Sequence, residues 1–285
     1  MVEVSLPFAA ARVEPISRKH LKQCGLYKAL SKELKQECEK HPYLLEYLHM
    51  VPTDKTGTPI FAAKLDRKLG DLPMPSVVYP VGDGIFVHIL ADPEDSRDFY
   101  IAIEPSFGMD LDRAMQHVEA RLLDYASDFT DIEDEGERLK ILMKTIDRIA
   151  RDGIRGRGGL WLWKKDKKLA GIKFGKREIE AVKYLLERDK IGLGVLQPLI
   201  KDPYIEDISC SGIGNVFVEH KVFKGLKSSV RFDKHDDLDD FVLKMSEKIK
   251  RPVTLRSPIV DAVLPDGSRI NIVYGKDVSK QGSNF

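Results

Sequence analysis

The feature that most constrains this chain is the stretch from Arg151 to Arg177, which interrupts the periodic patterns on both sides of it. It holds ten lysines and arginines against Asp152 and Asp166. Within it, Gly153-Ile154-Arg155-Gly156-Arg157-Gly158-Gly159-Leu160-Trp161-Leu162-Trp163-Lys164-Lys165 mixes four glycines with two tryptophans. Such a run reads as a basic linker, and 285 residues are long for one compact domain and comfortable for two. The expected organisation is therefore a domain over 1–150, a linker over 151–177 and a second domain over 178–285. Arginine and lysine with interleaved aromatics could touch lipid headgroups or nucleic acid. The favoured reading is structural: Leu160 to Trp163 dock their apolar side on one domain while the lysines stay in water.

Both domains read as mixed α and β. In the first, Leu26, Leu30, Leu34 and Cys38 recur every fourth residue, with Gly25 and Pro42 breaking the pattern into short helical pieces. Residues 51–75 are rich in Pro, Gly and Thr and read as loop. Val77 to Tyr79, Ile85 to Leu90 and Phe99 to Ile103 are β-branched and aromatic runs split by turn residues, a strand meander. Two helices are expected over about 110–125 and 131–150. The acidic run Asp131 to Glu135 sits where the second one starts, and carboxylates there favour the positive end of the helix dipole. In the second domain the patterns predict a helix over 176–189 and strands at 208–210, 216–218 and 229–232. A helix over 234–250 follows, and then two strands, 259–264 and 269–274, joined by the turn sequence Pro265-Asp266-Gly267-Ser268.

Composition excludes several functions. The formal net charge of +1 rules out bulk electrostatic binding of polyanions, so no nucleic acid partner is expected. No run approaches the ~18 apolar residues of a spanning helix, and Met1 to Arg12 lacks the basic leader of a secretory signal. Cys24, Cys38 and Cys210 show no C-x-x-C spacing, which argues against a zinc module or a disulfide framework and fits a reducing, cytoplasmic setting. The seven histidines are scattered without a nucleophile close in sequence and receive no role. A phosphate-binding loop would need G-x-x-x-x-G-K-[ST]. The nearest approach, Gly171-Ile172-Lys173-Phe174-Gly175-Lys176-Arg177, has three intervening residues and Arg177 in place of the hydroxyl. No catalytic residue and no metal ligand is assigned.

Two strings carry more specific information. The first is Leu193-Gly194-Val195-Leu196-Gln197-Pro198-Leu199-Ile200-Lys201-Asp202-Pro203-Tyr204-Ile205-Glu206-Asp207-Ile208, followed by Gly212 and Val216-Phe217-Val218. The second is Pro258-Ile259-Val260-Asp261-Ala262-Val263-Leu264-Pro265-Asp266-Gly267-Ser268-Arg269-Ile270-Asn271. They resemble the amino-terminal, nucleotide-side domain of the type II/type IV secretion ATPase superfamily, most of all its archaeal pilus, archaellum and secretion branch. The resemblance covers 176–285 and is weaker over 1–150, where it rests on Tyr100 to Pro105 and the helices after it.

The resemblance implies an α+β architecture whose second domain is PAS-like with a small antiparallel sheet, preceding a RecA-like ATPase domain that this sequence lacks. It implies a homo-hexameric motor that uses ATP and magnesium. Its partners would be a polytopic membrane platform protein and pilin-like or secreted substrates, met at the inner face of the membrane. The family's arginine in the Pro-Asp-Gly-Ser-Arg segment, which reaches toward nucleotide phosphates, carries over to Arg269; Arg256 is the weaker candidate. Without the resemblance, Arg269 reads as a surface arginine pairing with Asp261 or Asp266. The Walker A, aspartate-box, Walker B and histidine-box motifs are absent, so this fragment is expected neither to turn over ATP nor to bind it tightly. The end at Gln281 to Phe285 without a tail favours a truncated protein. The competing expectation is a non-enzymatic scaffold or adaptor docking to a membrane platform.

Overall fold

The computed structural model describes residues 3–8, 23–129, 132, 134–155, 175–264 and 267–285. Most of the basic linker, including both tryptophans, lies outside the described residues, as do Asp131, Glu133, Pro265 and Asp266. The described residues fall into two compact units. One runs up to Glu104 and resumes with Val195–Phe285; the other is Pro105–Gly194. The sequence patterns had suggested grouping 178–285 as a separate domain, whereas these contacts group most of that stretch with the amino-terminal strands.

The first unit opens with strand β1 (Glu3–Val4) and three helices, α1 (Gly25–Ala29), α2 (Lys32–Lys40) and α3 (Pro42–Met50). The expected single face through Leu26, Leu30, Leu34 and Cys38 is broken. Leu30 ends α1 in extended backbone, and the Ser31 hydroxyl accepts from the Leu34 amide at 3.2 Å to start a new helix. Pro42 opens α3, where its missing N–H costs nothing. Every residue of α3 from Tyr43 to Leu48 is buried, as expected for a helix that is apolar nearly all round. Residues 51–75, expected as loop, contain a turn of helix, α4 (Thr53–Thr56), and the short strand β2 (Ile60–Phe61).

Strands β3 (Ser76–Gly82), β4 (Ile85–Leu90) and β5 (Phe99–Ile103) form the expected antiparallel meander. All six residues of β4 are buried, so both of its faces are covered; this matches its near-continuous apolar run. His88 in that strand is fully buried between the Tyr47 hydroxyl (2.7 Å) and Ser76 Oγ (3.2 Å), and burial pulls its pKa down to about 3.

The unit Pro105–Gly194 is helical. Helices α5 (Asp112–Leu122), α6 (Glu135–Arg155) and α7 (Lys176–Leu186) share a core of Leu111, Ala114, Val118, Leu142, Ile146 and Val182, among others. Asp134 Oδ1 accepts from the Glu137 amide at 2.7 Å, so this carboxylate satisfies an orphan N–H at the start of α6. Asp134 thus takes the helix-start role expected of the acidic run, of which Asp131 and Glu133 lie outside the described residues.

The chain then completes the first unit with α8 (Gln197–Lys201), β6 (Ile205–Ser209), β7 (Gly214–His220) and β8 (Lys224–Phe232). Helix α9 (His235–Lys248) and a hairpin of β9 (Ile259–Val263) and β10 (Arg269–Val273) follow. The main sheet runs β2-β3-β4-β5-β8-β7-β6, with β1 pairing the far part of β8, and the hairpin is a separate two-stranded sheet. The fold is mixed α+β. Its joining element is the parallel pairing of β5 with β8, Phe99 to Lys227 and Tyr100 to Ser228. Lys227 strengthens the seam: its ammonium bonds Asp92, lies 2.9 Å from Asp95 Oδ2, and sits 4.3 Å from the centre of the Phe99 ring.

The last residues are packed into this unit. Phe285 exchanges backbone hydrogen bonds with Cys210 (2.8 and 3.1 Å), Asn284 does so with Val273, and the Phe285 ring meets Phe232 and Phe241. Two glycines permit this course. A Cβ on Gly212 would lie 2.6 Å from the Gln281 carbonyl oxygen, and one on Gly282 would lie 2.7 Å from His235 Nδ1; both have positive φ.

Candidate functional site

The two arginines singled out by sequence both lie around the β9–β10 hairpin, and both are exposed. The strands pair as Arg269 with Val263, Asn271 with Asp261, and Val273 with Ile259. Because side chains alternate along a strand, these six share one face. The opposite face carries Val260, Ala262, Ile270 and the fully buried Ile272, which tie the hairpin to its unit.

The outward face is unusual in composition. Val263 is 64% exposed and Ile259 53% exposed, and Arg269 stands directly opposite Val263. Asp261 Oδ1 accepts from Asn271 Nδ2 at 2.7 Å across the strands. Among the described residues Arg269 is in no ion pair, and Asp266, its other sequence-suggested partner, lies outside them. The turn before Arg269 is closed by bonds from the Leu264 amide to the Ser268 carbonyl (2.8 Å) and from the Gly267 amide to the Leu264 carbonyl (2.9 Å). Arg269 is therefore the first strand residue after a tight turn, presenting a permanent charge with forked donors.

Arg256 sits in a different turn, closed by paired bonds between Thr254 and Ser257 (3.1 Å each way), beside the 78% exposed Leu255. The antiparallel ladder places Arg256 near the Ile259 end and Arg269 at the Val263 end, roughly 15–20 Å of strand apart. The hairpin does not bring the two arginines together.

A buried polar cluster elsewhere in this unit gave no sequence signal. Asp202, only 3% exposed, accepts from the Tyr79 hydroxyl (2.6 Å), the Tyr100 hydroxyl (2.9 Å) and the Tyr204 amide (2.9 Å). His220 Nδ1 accepts from the Val222 and Phe223 amides, so its other nitrogen carries the proton and donates to the Tyr79 oxygen at 3.2 Å. Burial raises the Asp202 carboxyl above its usual range despite these donors, and burial lowers His220 to about 4. The cluster is closed to solvent and joins β3, β5 and β7 to the loop after α8. Its role is to hold the unit together, and its members are far apart in the chain.

Among the described residues no group of three or more His, Cys, Asp or Glu side chains is placed to hold a metal ion. No described helix is long and apolar enough to cross a membrane.

No protein-family model matches the chain. An uncharacterized protein of Methanocaldococcus jannaschii is 34% identical over 265 residues, 89% of this chain and 46% of that protein. A second uncharacterized protein of the same organism is 41% identical over 97 residues, 34% of this chain and 38% of its own length. The chain thus spans less than half the length of these relatives. Among solved structures, the VirB11 ATPase from the Brucella suis type IV secretion system, determined with sulphate, aligns over 28% of this chain and 24% of its own. That alignment has 25% identity and a TM-score of 0.25.

Proposed function

We propose that this chain is the amino-terminal regulatory and docking region of a hexameric ATP-driven motor for protein secretion or for assembly of a type IV pilus or archaellum, without a catalytic core of its own. The observation that carries the reading is the placement of Arg269. It follows a tight turn, is exposed, and shares a face with Val263 and Ile259, apolar side chains left open to solvent. A lone surface arginine needs no apolar neighbours; a charged group at the rim of a docking face does.

In this reading ATP and magnesium bind to a RecA-like domain of the longer motor, which supplies the phosphate loop and the reacting water. This chain contributes orientation and charge. Arg269 extends from the hairpin toward the terminal phosphates when the two domains close, its fork matching two phosphate oxygens. Val263 and Ile259 leave water at the same time, which favours closure and lowers the dielectric around the guanidinium. Arg256, at the other end of the ladder, serves the domain contact rather than the same phosphate group. The strand meander and helices of the amino-terminal half present the surface that meets a membrane platform protein or the exported subunit.

The gene's continuation tests the first half of this proposal: a G-x-x-x-x-G-K-[ST] loop should follow within the next hundred or so residues, about the length of one small domain. ATP turnover by the long form tests the second. Arg269→Ala should slow it about a thousandfold, the lower end for arginines that stabilise phosphoryl transfer. Undiminished turnover would remove Arg269 from the reaction, and a continuation without a phosphate loop would favour the adaptor reading.

A further inference from the structure

One pair of side chains has a chemistry that the motor reading does not use. Cys24 Sγ lies 3.1 Å from His49 Nε2. His49 Nδ1 lies 2.8 Å from the Leu45 carbonyl oxygen, and a carbonyl can only accept. Nδ1 therefore carries the proton, which leaves Nε2 as a bare acceptor directed at the thiol. The Tyr27 amide also donates to Cys24 Sγ, at 3.3 Å. A nucleophile, a base in reach of its proton and a third group orienting the base is the arrangement that activates a thiol.

The other two cysteines provide the contrast. Cys38 and Cys210 are buried, and burial pushes their thiols up to about 12 and about 11, so neither ionises readily near neutral pH. Cys24 is half-buried rather than enclosed.

We propose that Cys24 and His49 form a thiol–imidazole pair that takes up disulfides of low-molecular-weight thiols, making Cys24 a site of reversible mixed-disulfide modification. The thiol proton passes to His49 Nε2, and the sulfur attacks one sulfur of the incoming disulfide. The new S–S bond to Cys24 forms as the old one breaks. The departing thiolate takes the proton back from the imidazolium, so a neutral imidazole and a free small thiol remain. No other oxidant is needed. The adduct removes the S–H that faces His49 Nε2 and puts a substituent on the sulfur that caps α1. The inference is independent of the motor reading.

The test treats the full chain with 2-hydroxyethyl disulfide at pH 7 and maps the adduct by peptide mass spectrometry. A single adduct on Cys24, released by dithiothreitol, is expected. Its rate should exceed that of the same cysteine in the urea-unfolded chain by about tenfold, a modest general-base effect. His49→Gln should abolish that advantage while the far-ultraviolet circular dichroism stays that of the parent. Modification of Cys38 or Cys210 ahead of Cys24, or a native Cys24 no faster than in urea, would overturn the proposal. If His49→Gln fails to fold, the native-to-unfolded rate ratio still decides the matter.

Discussion

The Tyr79 hydroxyl donates to Asp202 Oδ2 at 2.6 Å across a sequence separation of 123 residues. This one bond links the strand meander near the start of the chain to the segment that resumes after the helical unit. Asp202 also accepts from Tyr100, and His220 donates to Tyr79, so each buried polar atom in the cluster has a partner. Removing one member leaves the rest desolvated and unmatched. Tyr79→Phe should therefore lower unfolding free energy by about 2 kcal/mol, and Asp202→Ala, which strands two hydroxyls, by about 3 kcal/mol or more. Urea denaturation at pH 7 measures both; a Tyr79→Phe midpoint equal to the parent's would deny the network any structural role.

Acid should act through His88. Burial holds it to about 3 in the folded chain, against an ordinary value of 6.5. The unfolded chain then binds the proton first as pH falls, so the stability this residue contributes is whole above about 6.5 and is lost progressively down to about 3. Over that window the loss is on the order of 3–5 kcal/mol. His220, lowered to about 4 by burial, adds to it in the same direction. Stability measured from pH 7 to pH 4 should fall steeply, and His88→Leu should flatten that fall. A parent protein equally stable at both ends would show that His88 is not held neutral.

Gly282 has φ of 90°, and a Cβ there would lie 2.7 Å from His235 Nδ1. Gly282→Ala meets both a disfavoured backbone region and a ring beneath it, so it should cost about 1–3 kcal/mol in thermal or chemical unfolding. Gly214 offers the control. Its φ is also positive, yet nothing lies within 4 Å of an added Cβ, so alanine there should cost the backbone share alone, about 1 kcal/mol. Equal effects at the two positions would mean that the ring plays no part.

Substitution of Arg269 should separate stability from the proposed function. It is exposed, and among the described residues it makes no ion pair, so Arg269→Ala should shift stability by no more than about 0.5 kcal/mol. In the longer motor proposed above, the same change should nearly abolish turnover, and Arg269→Lys should restore little, because an ammonium cannot match two phosphate oxygens at once. Full activity with lysine would mean that only the charge matters.

The local elements were legible because their signals are local. Strands β3, β4 and β5, helix α9 and the β9–β10 hairpin each announce themselves within about fifteen residues, through period-2 or period-3.6 patterning and turn residues at the breaks. Local patterning placed Arg269 on a strand after a turn and read it as a surface arginine; only the resemblance of Pro258 to Asn271 to the secretion ATPase superfamily singled it out. The continuous face expected from Leu26 to Cys38 failed for an equally local reason: Ser31 is a strong cap, and the pattern ran across a boundary it creates.

What only the tertiary structure decided is which distant segments meet. Strand β5 pairs in parallel with β8, so the strands before and after the helical unit share one sheet instead of belonging to separate domains. Asp202 meets Tyr79 and Tyr100, and Cys24 meets His49, by the same kind of long-range closure. Periodicity records which face of an element is apolar; it holds no record of the partner that covers that face. The partner is selected by the summed burial and hydrogen bonding of the whole unit, a quantity that exists only once the chain has closed on itself.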